Sequence, residues 1–435
     1  MGVGIIGAGV TGLATSLSLD RAGVDHVVFE ATDQPGGVIR SRTVDGRVLD
    51  YGPQRLRMTP AVEALVDELG LSNETRSPAE DRPLFVYADE RLREVPLDLP
   101  TFLRTDLLSW RGKLRLLAEP LTAPGRPEES VRDLLVRKFG REAARTLFGP
   151  LVGGIYGSDP VDMVAGYALP RLLAMEDRHG SLVRGVLSRA LSDERPDTVT
   201  FTDGMQTLPK AIARSVRDRI RFGTPVESIR SGPTGYELVV PGGRFTVDAV
   251  AVTTPASVAA DLLRPVAHET AVRLDRLTYR PMVVVHLTGT LDRPGMGYQV
   301  RRDEGLRTLG VTWNAPLFGR DGVFTCFLAD GPGWPDRSDR ALGACAREEF
   351  EHVTGAEATV LDVTRLRPGM PAYDRSWRAL AAIDPPRGIH LAGSYDGGPG
   401  IPSRVRAARS LADEVALDTD VPTAGKTTVE PESLP

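Results

Sequence analysis

The amino-acid sequence predicts an α/β fold that begins with a Rossmann-type nucleotide-binding unit. An apolar strand, Val3–Ile6, leads directly into the glycine loop 7–12, and a helical apolar repeat follows. A second apolar run, 27–29, ends at the acidic residue Glu30, and a second glycine loop follows at 36–41. Strand, glycine turn, helix, strand and acidic residue in this order predict a dinucleotide site.

Each position of the first loop has a physical role in that prediction. Gly7 permits the tight turn, Gly9 lets backbone amides approach a pyrophosphate, and Gly12 lets the helix pack close to the sheet. A carboxylate at Glu30 can accept hydrogen bonds from ribose hydroxyls, which disfavours NADP. Together with the second loop, this order favours FAD. The residues of these loops expected to hold it are Gly7, Gly9, Val10, Thr11, Gly12, Glu30, Gly36, Gly37 and Arg40.

Composition narrows the class of protein further. A chain of 435 residues has room for two or three domains, and a net charge of −5 gives no basic footprint for nucleic acid. The two cysteines and six histidines show no metal-ligand spacing, so no metal is expected. Two thiols fit a reducing cytoplasm, the first strand leaves no room for a signal peptide, and no apolar run is long enough to span a membrane.

The pattern of elements predicts an interleaved organisation. Segments 1–81, 199–265 and 371–417 are expected to form the FAD-binding domain, with strands at 225–229 and 248–253 and a helix over 402–415. Segments 82–97 and 266–370 alternate apolar and polar residues, which predicts a sheet-based substrate-binding domain. Segment 98–198 is expected to be a helical insertion, and 418–435 a disordered tail.

Several stretches resemble the flavin amine oxidase superfamily and, within it, the oxygen-dependent protoporphyrinogen/coproporphyrinogen III oxidases. The resemblance runs from Gly4 to about Val415. It is carried by residues 50–55 (DYGPQR), 108–115 (LSWRGKLR), 153–160 (GGIYGSDP), 176–185 (EDRHGSLVRG), 309–313 (LGVTW), 393–395 (GSY) and 400–402 (GIP). The middle stretches discriminate this family from other flavoproteins.

The resemblance implies a Rossmann-type FAD-binding domain, a mixed-sheet substrate-binding domain and a helical insertion. It implies oxidation of a porphyrinogen to the porphyrin in haem biosynthesis, with six electrons passing to flavin N5 as hydrides and on to oxygen or another electron acceptor. FAD is expected to be noncovalent, because neither cysteine lies near the C-terminal flavin loop. Further cofactor-binding residues implied by the resemblance are Gly52, Pro53, Gln54, Val226, Thr254, Gly393, Ser394, Ile401 and Pro402.

The resemblance also implies four substrate-binding residues. Arg82 matches an arginine that pairs with a propionate, and its planar fork suits a carboxylate. Met296 stands where the family has an aromatic ring, so this chain departs from the pattern there. Leu309 matches an aliphatic wall residue and Gly154 a backbone position near the macrocycle. No side chain is predicted as the general base, and His179 is interpreted as structural.

Alternatives to this interpretation stay open. An amine oxidase commonly uses a lysine near flavin N5, and none of Lys113, Lys138, Lys210 and Lys426 lies in the expected segment. A carotenoid desaturase or a sugar mutase would share the FAD loops but not the middle stretches. A non-redox prenyl-binding protein on the same scaffold need not keep the C-terminal flavin loop, which residues 393–403 of this chain retain. Residues 99–121 combine leucines, Trp110 and basic residues, which suits either a membrane surface on the cytoplasmic face or helices covering the substrate cavity. The second is favoured because Pro100 and Pro120 interrupt the pattern. Assembly into a homodimer is also left open by the sequence.

Overall fold

The structure, a computed structural model, describes residues 2–78, 82–191, 197–320, 322–328, 334, 337–395, 398 and 400–418. The predicted disordered tail therefore lies outside the described residues, apart from Asp418, which ends the last helix. Within the described residues, no helix is both long and apolar enough to cross a bilayer.

The strands form two main sheets and three small ones. In chain order they are β1 Val3–Ile6, β2 His26–Phe29, β3 Ser41–Val44, β4 Arg47–Asp50, β5 Leu56–Arg57, β6 Thr75–Arg76, β7 Leu84–Ala88, β8 Arg91–Glu94, β9 Thr198–Phe201, β10 Ile220–Arg221, β11 Ser228–Ser231, β12 Tyr236–Val240, β13 Gly243–Val247, β14 Ala249–Val252, β15 Tyr279–Gly289, β16 Gly297–Val300, β17 Thr308–Trp313, β18 Val323–Leu328, β19 Ala358–Pro371 and β20 Ile389–Leu391.

The helices surround these sheets. They are α1 Val10–Arg21, α2 Pro60–Glu68, α3 Leu99–Arg104, α4 Trp110–Leu117, α5 Val131–Phe139, α6 Arg141–Ala143, α7 Gly149–Tyr156, α8 Ala165–Ala168, α9 Pro170–His179, α10 Leu182–Leu191, α11 Thr207–Ser215, α12 Ala256–Leu263, α13 His268–Asp275, α14 Asn314–Phe318, α15 Asp339–Thr354 and α16 Ile401–Asp418. Tighter 3₁₀ turns lie at Ser72–Glu74, Glu119–Leu121, Arg217–Arg219, Arg302–Glu304 and Arg375–Ala382, and Ala144–Phe148 is a π-helical turn.

The first main sheet is parallel, in the order β10-β2-β1-β14-β20. Its central strands are buried on both faces, as the uninterrupted apolar runs of β1 and β14 require. Helices α1, α2, α11 and α16 share one apolar cluster with one face of this sheet. Because the strands come from three distant parts of the chain, their carboxyl ends gather the loops that follow them along one edge.

The second main sheet is mixed, in the order β19-β15-β18-β17-β16-β7-β8. Its neighbours are antiparallel except for β7 and β16, which run parallel. One face packs on α15 through an apolar cluster that includes Trp313, Phe324 and Phe350. The predicted fold class, α/β with a nucleotide-binding sheet, a mixed sheet and a helical insertion, is confirmed.

Two boundaries and three helices differ from the sequence prediction. The strand expected at 225–229 begins at Ser228 and runs to Ser231. The strand expected at 248–253 is shorter, at Ala249–Val252. Segment 266–370 also contains α13, α14 and α15, of which the last covers the sheet. Alternation of apolar residues signals strands, but it gives no sign of a helix laid over them.

The helical insertion is tied together by a buried ionic cluster. The Lys138 ammonium lies 2.9 Å from a carboxylate oxygen of Glu119 and also pairs with Glu176, and all three side chains are almost fully buried. Ser181 donates a 2.5 Å hydrogen bond to Glu119, and Gly125 donates from its backbone to Glu176 at 2.7 Å. The cluster therefore joins α5, α9 and the start of α10. Part of the 176–185 stretch, which carries the resemblance, belongs to this cluster.

Candidate functional site

The first glycine loop leaves open space at one position and none at another. A Cβ placed on Gly9 would meet no protein atom within 4 Å, whereas a Cβ on Gly12 would stand 2.0 Å from the Gly7 carbonyl oxygen. Gly9 is the N-cap of α1, so the free N–H groups of the first helical turn begin beside that space. Close packing thus explains Gly12, and access to the helix N-terminus explains Gly9.

Glu30 lies at the carboxyl end of β2, where its carboxylate meets the first loop. One oxygen accepts a 2.7 Å hydrogen bond from the Ala8 backbone N–H, and the other accepts hydrogen bonds from the backbone and hydroxyl of Thr32. Thr224 donates from its backbone to the Glu30 carbonyl at 2.9 Å, which brings the segment containing Val226 to the same place. Glu30 is thereby held in one orientation at the edge of the loop.

The second glycine loop packs directly on the first. Gly36 donates from its backbone to the Ala8 carbonyl at 2.9 Å, and a Cβ on Gly37 would stand 3.5 Å from the Gly9 Cα. Arg40 donates to the Gly37 carbonyl at 3.0 Å. A Cβ on Gly52 would stand 2.1 Å from the Val38 carbonyl oxygen, so the loop 52–54 lies against this second loop.

The C-terminal loop closes the same edge of the sheet. A Cβ on Gly393 would stand 2.7 Å from the Thr254 carbonyl oxygen, and the Ser394 hydroxyl lies 2.9 Å from that of Tyr279. Helix α16 begins at Ile401 and Pro402. Arg404 in its first turn donates to the carbonyls of Gly393 and Gly398 and so fixes the loop to the helix. Sequence analysis missed Arg404, because its partners are set by the folding back of the loop.

The structure therefore brings all the residues predicted to hold FAD to one edge of the parallel sheet, and their role in binding stays a prediction. Two of them carry buried polar atoms without a hydrogen-bond partner among the described residues: Gln54 Nε2 and Thr254 Oγ1. Native proteins seldom leave buried polar atoms unpaired. These atoms, with the open space beside Gly9, fit a polar cofactor such as FAD.

A network behind the loop 52–54 joins it to the mixed sheet. His286 on β15 hydrogen-bonds the Asp50 carbonyl at 3.0 Å, and Tyr51 donates to a carboxylate oxygen of Asp362 on β19. Arg320 pairs with Asp50 at 2.6 Å. Burial lowers the pKa of His286, and burial together with Asp362 raises that of Tyr51. Neither His286 nor Tyr51 therefore carries a charge at neutral pH, and the network positions the loop.

Two of the predicted substrate residues, Arg82 and Met296, lie together where β7 and β16 begin. Met296 donates from its backbone to the carbonyl of Pro83 at 2.8 Å, and the strands then pair in parallel. Arg82 is half-buried and makes no ion pair within the described part of the chain. A partly desolvated guanidinium of this kind is suited to an anionic ligand.

The other two, Gly154 and Leu309, lie toward the far end of β16. A Cβ on Gly154 would stand 1.7 Å from Oε1 of Gln299, which pairs across the strands with Gly310, the neighbour of Leu309. The π-helical turn Ala144–Phe148 leads directly into α7, the helix that carries Gly154. The four residues thus form two groups at opposite ends of one strand. Sequence analysis missed Gln299, because its contact comes from a helix far away in the chain.

The three described lysines and His179 lie away from the predicted site residues. Lys113 donates to the Leu103 carbonyl at 2.8 Å, Lys138 belongs to the buried ionic cluster, and Lys210 is exposed on α11. Lys426 lies outside the described residues. His179 ends α9, with its ring 3.3 Å from where a Cβ on Gly185 would stand. None of the three described lysines therefore lies among the predicted site residues.

Helices α3 and α4 expose several apolar side chains to solvent, whereas Phe102 and Leu116 pack against the apolar core. Leu99 is 68% exposed, Trp110 66% and Leu114 67%. Further exposed apolar residues of the same stretch are Leu97, Leu103, Leu117 and Leu121. Pro100 and Pro120 do interrupt the pattern, the first inside the initial turn of α3 and the second in a 3₁₀ turn. Both interpretations of this stretch, helices covering the substrate cavity and a membrane-facing surface, stay predictions.

Comparison with known proteins gives the family context. Residues 10–416 match the family described as flavin containing amine oxidoreductase. The chain is 27% identical over 470 residues to protoporphyrinogen oxidase 1, chloroplastic, of Spinacia oleracea, covering 94% of this chain and 83% of that protein. It is also 27% identical over 446 residues to coproporphyrinogen III oxidase of Mycobacterium leprae, covering 95% and 98%. A crystal structure from Exiguobacterium sp. 255-15 has the same fold, with a TM-score of 0.80 at 24% identity over 96% of this chain and 98% of the other.

Proposed function

This chain belongs to the flavin containing amine oxidoreductases, and we propose that it oxidises a porphyrinogen to the porphyrin with FAD as a noncovalent cofactor. The substrate is protoporphyrinogen IX or coproporphyrinogen III, the substrates named in its relatives. The observation that carries the proposal is Arg82, a half-buried guanidinium without an ion-pair partner among the described residues, placed beside Met296 where β7 and β16 begin.

FAD would be held by the two glycine loops, Glu30, the loop 52–54 and the start of α16. When bound, it would supply the chemistry of a hydride acceptor that is reoxidised by oxygen. The cysteines support noncovalent binding. Cys326 is fully buried on β18 in the cluster under α15, and Cys345 lies on α15 beside Glu349, so neither lies at the loop that contains Gly393.

The remaining task of the protein is to bind and orient a large apolar ring fringed by carboxylates. Arg82 would pair with a propionate, because its fork can donate two parallel hydrogen bonds to one carboxylate. Met296 would pack its thioether on a pyrrole ring. Gly154 and Leu309 would form the wall at the other end of β16, where the absence of a side chain on Gly154 lets the helix approach the sheet.

Oxidation of an amine is the alternative within the same family. A lysine near flavin N5 would favour it, but the lysines of the described residues are bound to Leu103, bound within the ionic cluster or exposed on α11. The site residues themselves include a cation in Arg82, which suits an anionic rather than a cationic substrate. We therefore keep porphyrinogen oxidation as the proposal.

We also propose that α3 and α4 lie on a membrane surface, on the cytoplasmic side. Exposed leucines beside the exposed cations Arg104 and Arg111 match a surface that buries apolar side chains and attracts anionic lipid. The test is co-sedimentation with vesicles of phosphatidylglycerol and phosphatidylcholine. Leu99→Ser/Leu114→Ser should abolish binding, whereas the wild type staying in the supernatant would refute the proposal.

The direct test of the function is turnover by the purified flavoprotein. Protoporphyrinogen IX and coproporphyrinogen III are added separately under argon, air is admitted, and porphyrin fluorescence is followed. We expect rapid porphyrin formation from at least one of them, above the rate of oxidation without enzyme. Oxidation of primary or secondary amines with no effect on either porphyrinogen would refute the proposal.

A further inference from the structure

We propose that Gln299 determines specificity among porphyrinogens, by donating a hydrogen bond from its side-chain amide to a carboxylate at the end of the site opposite Arg82. This inference rests on the proposed function and concerns which edge of the substrate the protein contacts. The Gln299 side chain packs between helix α7 and strand β17.

The carbonyl end of the Gln299 amide is wedged between two glycines. A Cβ on Gly154 of α7 would stand 1.7 Å from Oε1, and a Cβ on Gly310 of β17 would stand 2.4 Å from it. Oε1 is sealed from solvent and has no hydrogen-bond partner within the described residues. Any side chain at residue 154 or 310 would therefore push the amide away, so both glycines are needed for its present position.

The nitrogen end of the same amide points away from this wedge. Nε2 lies 3.1 Å from the Cβ position on Gly154, farther than Oε1. It is absent from the set of sealed, unpaired polar atoms, and it donates no hydrogen bond to a residue that the structure describes. In this orientation the amide presents two N–H donors at the junction of α7 and the sheet.

The surroundings of this junction favour an anion. Arg302 lies next to it, with its Nε 3.8 Å from where a Cβ on Gly153 would stand. The only acid paired with Arg302 among the described residues is Asp159, at 3.6 Å, and both side chains are more than a third exposed. A partly neutralised arginine therefore lies beside Gly153, and a free amide donor lies against the neighbouring Gly154, one of the predicted substrate residues.

The two polar ends are separated along one face of the sheet. Gln299 pairs with Val86 of β7, which follows Arg82 by four residues, so Arg82 and Gln299 lie on the same face about 13 Å apart at the rise of a β-strand. A ring with carboxylates on one edge would engage one end, whereas a ring with carboxylates around its whole edge would engage both. Coproporphyrinogen has two more carboxylates than protoporphyrinogen, at the positions where the latter carries vinyl groups. Gln299 should therefore favour coproporphyrinogen.

The test compares Gln299→Leu with the wild type on both substrates. Loss of a hydrogen bond to a charged group predicts a KM for coproporphyrinogen III that rises about tenfold or more. KM for protoporphyrinogen IX should change less than about threefold, as should kcat for both. The matched variant Arg82→Leu should weaken both substrates alike, because both carry carboxylates on one common edge. Flavin content and the unfolding midpoint report on folding, and Gln299→Met replaces the leucine variant if that protein does not fold.

Binding of the porphyrin products provides the second measurement. Quenching of protein fluorescence gives the Kd of coproporphyrin III and of protoporphyrin IX for the flavin-loaded enzyme, and the ratio of the two should shift about tenfold or more in Gln299→Leu. An unchanged ratio, or equal losses for both compounds, would refute the role of Gln299 while leaving porphyrinogen oxidation intact. A wild type that neither oxidises nor binds either compound would refute the proposed function and, with it, this inference.

Discussion

The substitution Gly9→Ala separates the stability of the protein from its affinity for FAD. Gly9 has φ −69° and ψ 172°, a conformation open to alanine, and its Cβ would meet no protein atom within 4 Å. The added methyl group therefore lies in space that the protein leaves empty. We expect it to be tolerated by the apoprotein and to obstruct the cofactor.

Two small effects on apoprotein stability oppose each other. Replacing glycine where the backbone is compatible stabilises by about 0.4–1 kcal/mol, because the unfolded chain loses freedom. Alanine is a poorer N-cap than glycine, which costs a similar amount, about 0.5–1 kcal/mol. The net change in the free energy of unfolding should stay within about 1 kcal/mol. Loss of one backbone hydrogen bond to a phosphate oxygen costs about 1.5–3 kcal/mol, or a roughly 10- to 150-fold increase in the Kd of FAD.

The assay pairs Gly9→Ala with Gly243→Ala. A Cβ on Gly243, which is exposed at the start of β13, also meets no atom within 4 Å, so this control adds the same methyl group outside the site. FAD affinity is measured from the quenching of flavin fluorescence by apoprotein, and stability from urea denaturation. An FAD Kd for Gly9→Ala within about threefold of the wild type would refute the placement of the pyrophosphate beside Gly9.

Three further predictions concern the site and the helical insertion. Arg82→Leu should raise KM for either porphyrinogen about tenfold or more in steady-state kinetics. The control Arg91→Leu, at an exposed position of β8, should leave KM unchanged. Equal effects of the two substitutions would show that Arg82 does not bind the substrate. Lys138→Met leaves two buried carboxylates uncompensated and should lower the free energy of unfolding by about 3–5 kcal/mol in urea denaturation. A decrease below about 1 kcal/mol would contradict a stabilising role of the buried ionic cluster. Burial opposes the ionisation of Glu119, but hydrogen bonds from Ser181, the backbone and Lys138 outweigh it and lower its pKa. Its contribution to stability should therefore be complete above the ordinary carboxyl pKa and lost as the pH falls through the lowered value; if Glu119→Gln has the same acid dependence of the urea midpoint as the wild type, this assignment is wrong.

Local signals account for what the sequence predicts well. The glycine loops, Glu30 and the apolar strands β1 and β14 are set by short-range sterics and burial, so their order along the chain was enough to predict the parallel sheet. The sequence predicts the strand at 225–229 about three residues too early, because strand ends depend on pairing with β12 rather than on composition.

Contacts between distant segments account for what the sequence does not predict. Gln299 is held by a glycine of α7, Arg404 by carbonyls of a loop that folds back, and Lys138 by two glutamates from other elements. The residues next to each of these side chains in the sequence do not indicate which distant residue it contacts. Likewise, Leu114 and Leu117 of α4 lie in an apolar helical repeat that suits a buried face, and only the fold shows that both are exposed among the described residues.

The measurement that tests the central claim most directly is porphyrin formation by the purified, FAD-loaded protein. Protoporphyrinogen IX or coproporphyrinogen III is mixed with enzyme without oxygen, and the flavin absorbance and porphyrin fluorescence are recorded before and after air is admitted. The account predicts bleaching of the flavin on mixing, then sustained porphyrin formation in air. A protein that binds flavin but leaves both porphyrinogens to oxidise at the enzyme-free rate would contradict it.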